Sequence, residues 1–511
     1  MKIFSHFKLI FQNPHKKSID NFLNPIVLIK NNRFLIYPLI ILISFFYLFN
    51  ISDGHDWGGD FSMYIMNAKN LVNRTPYNQT GYIYNEEVVY GPSAYPPIFP
   101  LLLTPFISFW GINLKILKIP GILCFITFLF YFSQLRNTES ICFQLKILLI
   151  IMIGLYPFFF LLSESVLSEF TFILLSIISL DLINRTVNKE SINFKNTLLH
   201  FLLGFFIALA YGTRTIGIVL FLVHLLLTII KLRKISSGFL LSTIFSFLLI
   251  WVQYLLVPQT GDYFDFIPNS VLELLTTIFN SSIYYFSLFF GLFQFENFIF
   301  QSIFFIVLIE FFVIGFIHQV KQGISSFEIF FILYIGVLLV WPSYQFLRFL
   351  VPVIPLYFLY IIIGLEKIIR YFKYPTLKIT IPLLLVALVC FNYIDTYMSI
   401  FPRPISDIEK VETQELFQYI KHKTNSEDVI IFFKPRVLAL FTEKKSVAMA
   451  FPDPNGDEFS RMKDFGVTIA ILRKGHNIEH PPGLDLFIKN HHSNFELIYN
   501  NSEFFVYKVI Y

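Results

Sequence analysis

Two aspartates stand in a short polar loop, at a spacing that suits acid–base chemistry. Asp56 and Asp60 are four residues apart, and Gly58 and Gly59 lie between them, just before an apparent helix over 61–71. A carboxylate held there could take the proton of a substrate hydroxyl, and the glycines would let a backbone approach closely. The alternative is a solvated loop in which Asp60 only caps the helix.

Two glutamates lie in a second polar turn, over 163–169, between apolar runs. Glu169 begins the second of these runs, where a carboxylate without a partner would be desolvated at high cost. Glu169 is therefore a candidate catalytic residue, and Glu164 is a candidate for the substrate loop. The alternative for both is a helix-capping turn with Glu164 in water.

Two arginines stand alone at the mouths of apolar runs. Arg214 and Arg348 are isolated cations on the side of the chain that otherwise carries few of them. Arginine binds phosphate through a planar fork of donors, so the pair indicates an anionic ligand. The alternative is that both side chains extend to lipid headgroups.

A proline-rich segment follows the acidic loop. Tyr95 and Pro96 precede an apolar stretch that ends at Trp110 and is too short to span a bilayer, which predicts a helix lying in the membrane interface. Together with Tyr64, these residues are candidates for the acceptor-binding loop. Lys118 comes soon afterwards and is a candidate for a lipid phosphate, with an interface anchor as the alternative.

Composition places most of the chain in a membrane. The 511 residues are 55% hydrophobic and 14% charged, include 65 Phe, and have a mean hydropathy of +0.65. Soluble domains contain about 25% charged residues. These values exclude a soluble globular enzyme, a disordered chain and a rod, and the net charge of +5 is too small for a nucleic-acid binder. The three cysteines lie in or beside apolar runs, which argues against a disulfide framework or a cysteine zinc site.

A spanning helix needs roughly 17 to 25 mostly apolar residues. We expect about eleven spans, near residues 34–51, 112–134, 147–162, 166–183, 197–212, 215–231, 238–257, 298–317, 327–341, 349–365 and 378–396.

Charge alternates between successive loops. Arg136, Arg185, Lys231 and Lys321 lie in loops on one side, which the positive-inside rule assigns to the cytoplasm. The basic segment 1–33 is then cytoplasmic, and an odd number of spans places the C-terminus outside. The abundance of Phe, Ile, Asn and Lys suggests an AT-rich bacterial genome and hence the bacterial cytoplasmic membrane.

The expected fold is a polytopic α-helical membrane protein with a small C-terminal extracytoplasmic α/β domain. The membrane part covers 34–396 and includes an outer catalytic loop over 52–111. Residues 397–511 combine apolar strand-like runs with helix-like segments, which is typical of a small α/β domain.

The order of these features resembles the GT-C superfamily, multi-span glycosyltransferases that include protein O-mannosyltransferases and bacterial lipid A aminoarabinose transferases. The resemblance covers about residues 34–370 and extends from the acidic loop to the Arg348-x-x-x-Pro-x-x-Pro turn. It implies that Asp60 is the catalytic base or orients the acceptor. An acidic residue often follows that aspartate in the family; Phe61 stands there in this sequence, and Asp56 is the candidate substitute.

The resemblance implies a reaction as well. The donor would be a polyprenyl-phosphate-linked sugar, with Arg214, Arg348 and Lys118 near its phosphate and Glu169 in the catalytic centre. A hydroxyl of a lipid, a glycan or a protein would attack the anomeric carbon on the outer side and invert it. Sugar and acceptor class stay open. The residues imply no metal site and no firm cofactor, and the superfamily leaves dependence on a divalent metal open.

Two other functional classes remain. A transporter or flippase of a lipid-linked or small polar substrate would place its polar residues near the bilayer midplane in two related halves, and we find no internal repeat. A receptor-like or scaffold protein would use residues 397–511 to bind a partner. Membrane lipids are expected neighbours in every case.

Overall fold

A computed structural model describes residues 36–86, 88, 91–92, 94–139, 141–187, 194–257, 270–452, 458–474 and 483–511. The predicted cytoplasmic segment 1–33 lies outside the described residues.

The apolar part of the chain is helical. Its helices are α1 Ile36–Phe49, α2 Gly59–Asn73, α3 Ile98–Trp110, α4 Leu114–Ser133, α5 Phe143–Gly154, α6 Pro157–Ser163, α7 Glu169–Thr186, α8 Phe194–Thr213, α9 Val219–Leu232, α10 Ser237–Leu256, α11 Val271–Phe290, α12 Phe298–Gly323, α13 Ser326–Val340, α14 Ile354–Tyr371 and α15 Pro375–Ile400. Single turns of α-helix or 3-10 helix cover Arg136–Glu139, Thr215–Ile218 and Phe346–Leu350.

Length and apolarity identify fewer spans than expected. Among the described residues, six helices (α4, α8, α9, α10, α12 and α15) are long and apolar enough to cross a membrane, or seven if the bent pair α5 and α6 forms one span. The expected count of about eleven is not confirmed. The helices α1 and α13 have only 14 and 15 residues, and α7 and α14 each carry three charged residues.

Large apolar side chains cover the outside of several of these helices. Trp251 on α10, Leu272 and Phe279 on α11, Ile299 on α12 and Leu384 on α15 are exposed. Exposure of such an apolar surface to water is unfavourable, so we expect these helices to face lipid. The helix α11 was missed by the sequence prediction, which placed no span between 258 and 297.

Two glycines set a close helix crossing. A Cβ atom at Gly315 of α12 would overlap the carbonyl oxygen of Tyr360, and one at Gly364 of α14 would overlap the carbonyl oxygen of Phe311. Small residues let membrane helices approach to backbone contact in this way. The crossing matters for the site because α14 directly follows the turn that carries Arg348.

We expect Gly315→Ala to destabilise the protein by about 1–3 kcal/mol, because neither backbone can move aside without repacking. Gly336→Ala on α13 is the matched control, since a Cβ atom there has nothing within 4 Å. Alanine is the better helix former, so the control should be neutral or stabilising by up to about 1 kcal/mol. Thermal unfolding in nanodiscs measures both. Equal stability of the two variants would contradict the tight crossing.

A six-stranded sheet forms outside the helical bundle. Its strands are β1 Tyr82–Ile83, β2 Val429–Ile431, β3 Lys445–Val447, β4 Val467–Arg473, β5 Phe495–Asn500 and β6 Phe504–Val509, in the order β1-β3-β2-β4-β6-β5. Strands β1 to β4 pair in parallel, while β6 runs antiparallel to both β4 and β5. The helices α16 Val411–Lys423, α17 Pro435–Thr442, α18 Phe459–Asp464 and α19 Leu484–Asn490 connect the strands, and His492–Asn494 forms a 3-10 turn.

The outer loop and the tail share one sheet and one core. Strand β1 belongs to the outer loop, and Ile83 pairs with Val447 of the tail. Trp57 is buried against Phe432 and Phe433, with ring centroids 5.8 and 5.1 Å away. The two regions are therefore one packed unit in this structure, and a domain boundary at residue 397 stays a prediction.

Candidate active site

Asp60 makes tertiary contacts from the first turn of α2. Gly58 is the N-cap residue, and Asp60 follows the first helical residue. Its Oδ1 accepts a hydrogen bond from the Tyr95 hydroxyl at 2.6 Å, and its Oδ2 accepts one from Arg348 at 2.5 Å. The carboxylate thus faces other elements, and the helix-capping alternative does not describe it.

Arg348 joins two carboxylates. Besides Asp60, its Nε donates to Oε1 of Glu169, the first residue of α7. The same Oε1 accepts a hydrogen bond from Arg214 at 2.5 Å. Glu169 is buried with its side chain 2% exposed, so its charge needs these two guanidiniums. The structure thereby brings together four residues that the sequence singled out separately.

Two tyrosines line one side of this cluster. The Tyr64 hydroxyl lies 2.9 Å from the Ser168 hydroxyl, and its ring stacks on that of Tyr95 with centroids 4.9 Å apart. Pro96 is buried just before α3. Tyr64 and Tyr95 therefore lie at the site, and Pro96 leads the chain from it into α3.

The tail contributes a cation that the sequence analysis missed. Nη1 of Arg436, on α17, donates to the Tyr95 hydroxyl at 2.9 Å and lies 3.4 Å from Oδ1 of Asp60. Its guanidinium also lies over the rings of Tyr82 and Tyr95, at 4.9 and 5.4 Å from their centroids. The signal that could have identified Arg436 is its place between the apolar runs 429–433 and 437–441, but its partner Asp60 is 376 positions away.

A cleft of about 360 Å³ opens above Asp60. Its walls come from the outer loop, the turn before α7, the turn before α14 and the tail, and they are formed by His55, Asp56, Gly58, Gly59, Asp60, Phe61, Ser165, Leu167, Gln345, Arg348, Lys434, Pro435 and Arg436. The size suits one or two sugar-sized groups, which is within the range of ligand sites.

Electrostatics keep Asp60 ionised. Burial alone would raise the pKa of Asp60, but the guanidiniums of Arg348 and Arg436 and the hydrogen bonds from Tyr95 and Arg348 hold that pKa well below the ordinary carboxyl range. The carboxylate is thus a weak base while both arginines face it. Asp60 becomes a stronger base only if Arg348 or Arg436 moves away from it.

We expect Asp60 to make stability dependent on pH. Because its folded pKa is depressed, its contribution is fully present above the ordinary value of about 3.9 and is lost as pH falls below it. Wild type should therefore exceed Asp60→Asn in thermal stability most at neutral pH. Unfolding in nanodiscs between pH 3 and 7 measures the difference, and a difference that stays constant below pH 4 would contradict the ion pairs.

Lys118 and Glu164 form a separate cluster. The Lys118 ammonium is buried and donates to the carbonyls of Ser52 and Gly54 at 2.9 and 2.7 Å. Glu164 lies 3.5 Å from that ammonium and 2.9 Å from Nη1 of Arg403, in the link between α15 and the tail. The cluster joins α4, the end of α1 and the tail link. The structure does not bring these two residues to the cleft, and their predicted roles stay predictions.

Asp56 lies at the rim of the cleft. Its side chain is 73% exposed and lies 2.8 Å from Nδ1 of His55, which is buried. The other ring nitrogen of His55 accepts a hydrogen bond from the Val166 amide at 3.3 Å. The proton of a neutral His55 is therefore on Nδ1, and the imidazole holds Asp56 at the rim.

The two acidic side chains of the site are paired with arginines. Within the part of the chain that the structure describes, no group of three or more His, Cys, Asp or Glu side chains could hold a metal ion. The two carboxylates of the site, Asp60 and Glu169, are bridged by Arg348.

Similarity to known proteins is found at the level of the fold. No protein-family model matches the chain, and no curated protein matches it in sequence. Among solved structures, the oligosaccharyltransferase AglB of Archaeoglobus fulgidus, with an inhibitory peptide and a dolichol-phosphate, aligns at TM-score 0.59 and 11% identity over 87% of this chain and 69% of that one.

Two further structures align over nearly the whole chain. ArnT of Cupriavidus metallidurans, bound to undecaprenyl phosphate, aligns at TM-score 0.55 and 11% identity over 93% of this chain and 97% of that one. The arabinofuranosyltransferase AftD from Mycobacteria aligns at TM-score 0.53 and 11% identity over 94% of this chain and 40% of that one. The three are GT-C glycosyltransferases. The chain has the GT-C fold, and the resemblance predicted from its sequence is confirmed at that level.

Proposed function

We propose that the chain is a membrane glycosyltransferase that moves a sugar from a polyprenyl-phosphate donor to an acceptor hydroxyl on the outer side of the membrane. The observation that carries the proposal is that Arg348, which lines the cleft with Asp60, bridges Asp60 and Glu169 in a GT-C fold. The bacterial cytoplasmic membrane, with the N-terminus inside and the C-terminus outside, belongs to the same proposal.

Arg214 and Arg348 bind the donor phosphate. Oε1 of Glu169 holds both side chains, so their guanidinium groups are oriented before the donor binds. The neighbours AglB and ArnT, solved with dolichol-phosphate and undecaprenyl phosphate, support a lipid phosphate as the anion. Oε2 of Glu169 is buried and has no partner among the described residues, and we assign it to a hydroxyl of the donor sugar.

The transfer is a direct displacement at the anomeric carbon. The acceptor oxygen forms a bond to that carbon as the bond to the phosphate oxygen breaks, and the electron pair of the broken bond leaves on the polyprenyl phosphate. Arg348 and Arg214 stabilise this developing charge. The hydroxyl proton passes to Asp60, and a single displacement inverts the anomeric configuration.

Donor binding makes Asp60 a better base. In the structure described here, Arg348 neutralises both Asp60 and Glu169. A phosphate that draws Arg348 toward itself weakens the Asp60 ion pair, which raises the pKa of that carboxyl toward a value useful for proton transfer. Base strength then appears only when the donor is in place.

We assign Tyr64 and Tyr95, which stack beside Asp60, to shaping the acceptor side of the site, with Asp56 at the rim. The acceptor class, whether lipid, glycan or protein, is left to experiment. Lys118 and Glu164 anchor the outer loop to the membrane helices through their contacts with Ser52, Gly54 and Arg403. Their predicted roles, Lys118 near the donor phosphate and Glu164 in the substrate loop, stay predictions.

Stereochemistry tests the proposed reaction. Purified protein in nanodiscs is given donors of known anomeric configuration with membrane extract as acceptor, and the product linkage is assigned by NMR. Inversion is expected. Retention would reject a single in-line displacement with Asp60 as the base.

A further inference from the structure

We propose that Arg436, supplied by the tail, is a positioning residue that fixes Oδ1 of Asp60 and thereby aims the carboxylate at the acceptor hydroxyl. The inference rests on the proposed function and adds the tail to its active site. Arg436 contacts Asp60 and Tyr95 and is assigned no contact with the substrates.

Burial makes the position of Arg436 unusual. It is the largest side chain among the fully buried residues described, and it is 1% exposed as a residue. A buried guanidinium costs free energy unless charges and acceptors compensate it. Here the compensation comes from the outer loop: the carboxylate of Asp60, the hydroxyl of Tyr95 and the carbonyl of Pro92, which accepts from Nη2 at 3.0 Å.

The outer loop is shaped to admit this side chain. A Cβ atom at Gly59 would lie 3.6 Å from Cδ of Arg436, and one at Gly91 would lie 2.9 Å from Nη2. Gly91 also has φ of +98°, a conformation that other residues rarely adopt. Gly91 therefore lets the loop backbone approach the guanidinium closely, whereas a side chain at Gly59 would make only an ordinary contact with Arg436.

The contact with Arg436 fixes Oδ1 of Asp60 and leaves Oδ2 to accept the proton of the acceptor hydroxyl. Oδ1 of Asp60 lies between the Tyr95 hydroxyl and Arg436, whereas Oδ2 faces Arg348. When Arg348 turns to a donor phosphate, Oδ2 is released while Oδ1 stays held. The carboxylate then keeps its orientation at the moment when it accepts the proton.

Attachment of the tail alone does not explain Arg436. The tail already packs on the outer loop through a shared apolar core that includes Trp57, Phe432 and Phe433, and through the pairing of β1 with β3. Buried ion pairs are often no better for stability than apolar residues of similar size. A charge at this position is therefore better explained by what it does to Asp60.

Kinetics separate positioning from attachment. We expect Arg436→Met to lower kcat by about 10²-fold with little change in the donor KM, because a misplaced carboxylate slows transfer while the phosphate site stays intact. Arg436→Lys keeps the charge and should recover part of the loss. The control is Arg473→Met, which removes a buried tail arginine that contacts Trp57 and pairs with Glu503 at 2.5 Å. The control should lower stability and leave kcat within a few-fold of wild type.

A double-mutant cycle asks whether Arg436 acts through Asp60. In an Asp60→Asn background, Arg436→Met should cause little further loss of kcat. An equal loss in both backgrounds, or a loss matched by Arg473→Met, would overturn the positioning role.

Thermal unfolding, which requires no transfer activity, is measured for the four proteins of this cycle. They are the wild type, Asp60→Asn, Arg436→Met and the double variant. Non-additive shifts are expected from Asp60→Asn and Arg436→Met, since each removes the same contact. Additive shifts would overturn the contact itself. If the unfolding shifts are non-additive but the wild-type protein transfers no sugar, the proposed function is rejected. If the wild-type protein transfers sugar but Arg436→Met lowers kcat equally in both backgrounds, only the role of Arg436 is rejected.

Discussion

Asp60→Asn is expected to lower kcat for sugar transfer by about 10²- to 10⁴-fold, the range in which a positioned general base acts. Asparagine keeps the size of the side chain and its hydrogen bond from Tyr95, but it cannot take the proton of the acceptor hydroxyl. Donor binding should persist, because Arg214 and Glu169 are untouched. The measurement is the initial rate of transfer in nanodiscs at saturating donor.

Asp53→Asn is the matched control for this variant. Asp53 lies in the same loop, is 72% exposed and pairs with Lys115 at 3.2 Å, outside the cleft. It should transfer sugar at the wild-type rate. A folded Asp60→Asn protein that keeps more than about a tenth of the wild-type rate would remove Asp60 from the role of base.

Loss of Arg348 is expected to be nearly as severe. Arg348→Ala removes the cation shared by Asp60 and Glu169 and should lower kcat by about 10²- to 10³-fold, as for other groups that stabilise a developing charge. Arg348→Lys keeps a charge without the planar fork, and we expect it to recover only part of the rate. Both variants should also bind polyprenyl phosphate more weakly. Polyprenyl phosphate is the leaving group of the reaction, and it retains the phosphate that Arg348 is proposed to contact.

Folding must be separated from chemistry in this case, because Arg348→Ala leaves the buried carboxylate of Glu169 with one partner. Arg348→Lys and thermal unfolding provide that separation. Arg185→Ala is the control, since Arg185 is 57% exposed and pairs with Asp181 one turn away at 2.6 Å. A folded Arg348→Lys protein with wild-type rate and phosphate affinity would contradict the proposed donor site.

The sequence identified site residues where a charged residue lies beside a long apolar run. Glu169, Arg214 and Arg348 lie beside apolar runs, where each needs a reason and a partner, and the structure joins them in one cluster with Asp60. Pairings between these residues could not be predicted, because they join segments that are 45 to 288 positions apart.

The contributions of the tail depend on still longer separations. Arg436 lies between apolar runs at 429–433 and 437–441, but its partners in the outer loop are more than 340 positions away. The two-residue strand β1 depends on a partner, β3, that lies more than 360 positions away. The helix α11 contains Glu273 and several Ser, Thr and Asn residues, which lower its hydropathy below that of its neighbours.

The most direct test of the account is product stoichiometry. Wild-type protein in nanodiscs is supplied with donors labelled in both the sugar and the polyprenyl phosphate, and a broad donor panel is used with membrane extract as acceptor. We expect one free polyprenyl phosphate for each sugar found on acceptor, and we expect Asp60→Asn and Arg348→Ala to lose both products together. Intact labelled donor that crosses between leaflets without release of polyprenyl phosphate would contradict glycosyl transfer and identify a transporter.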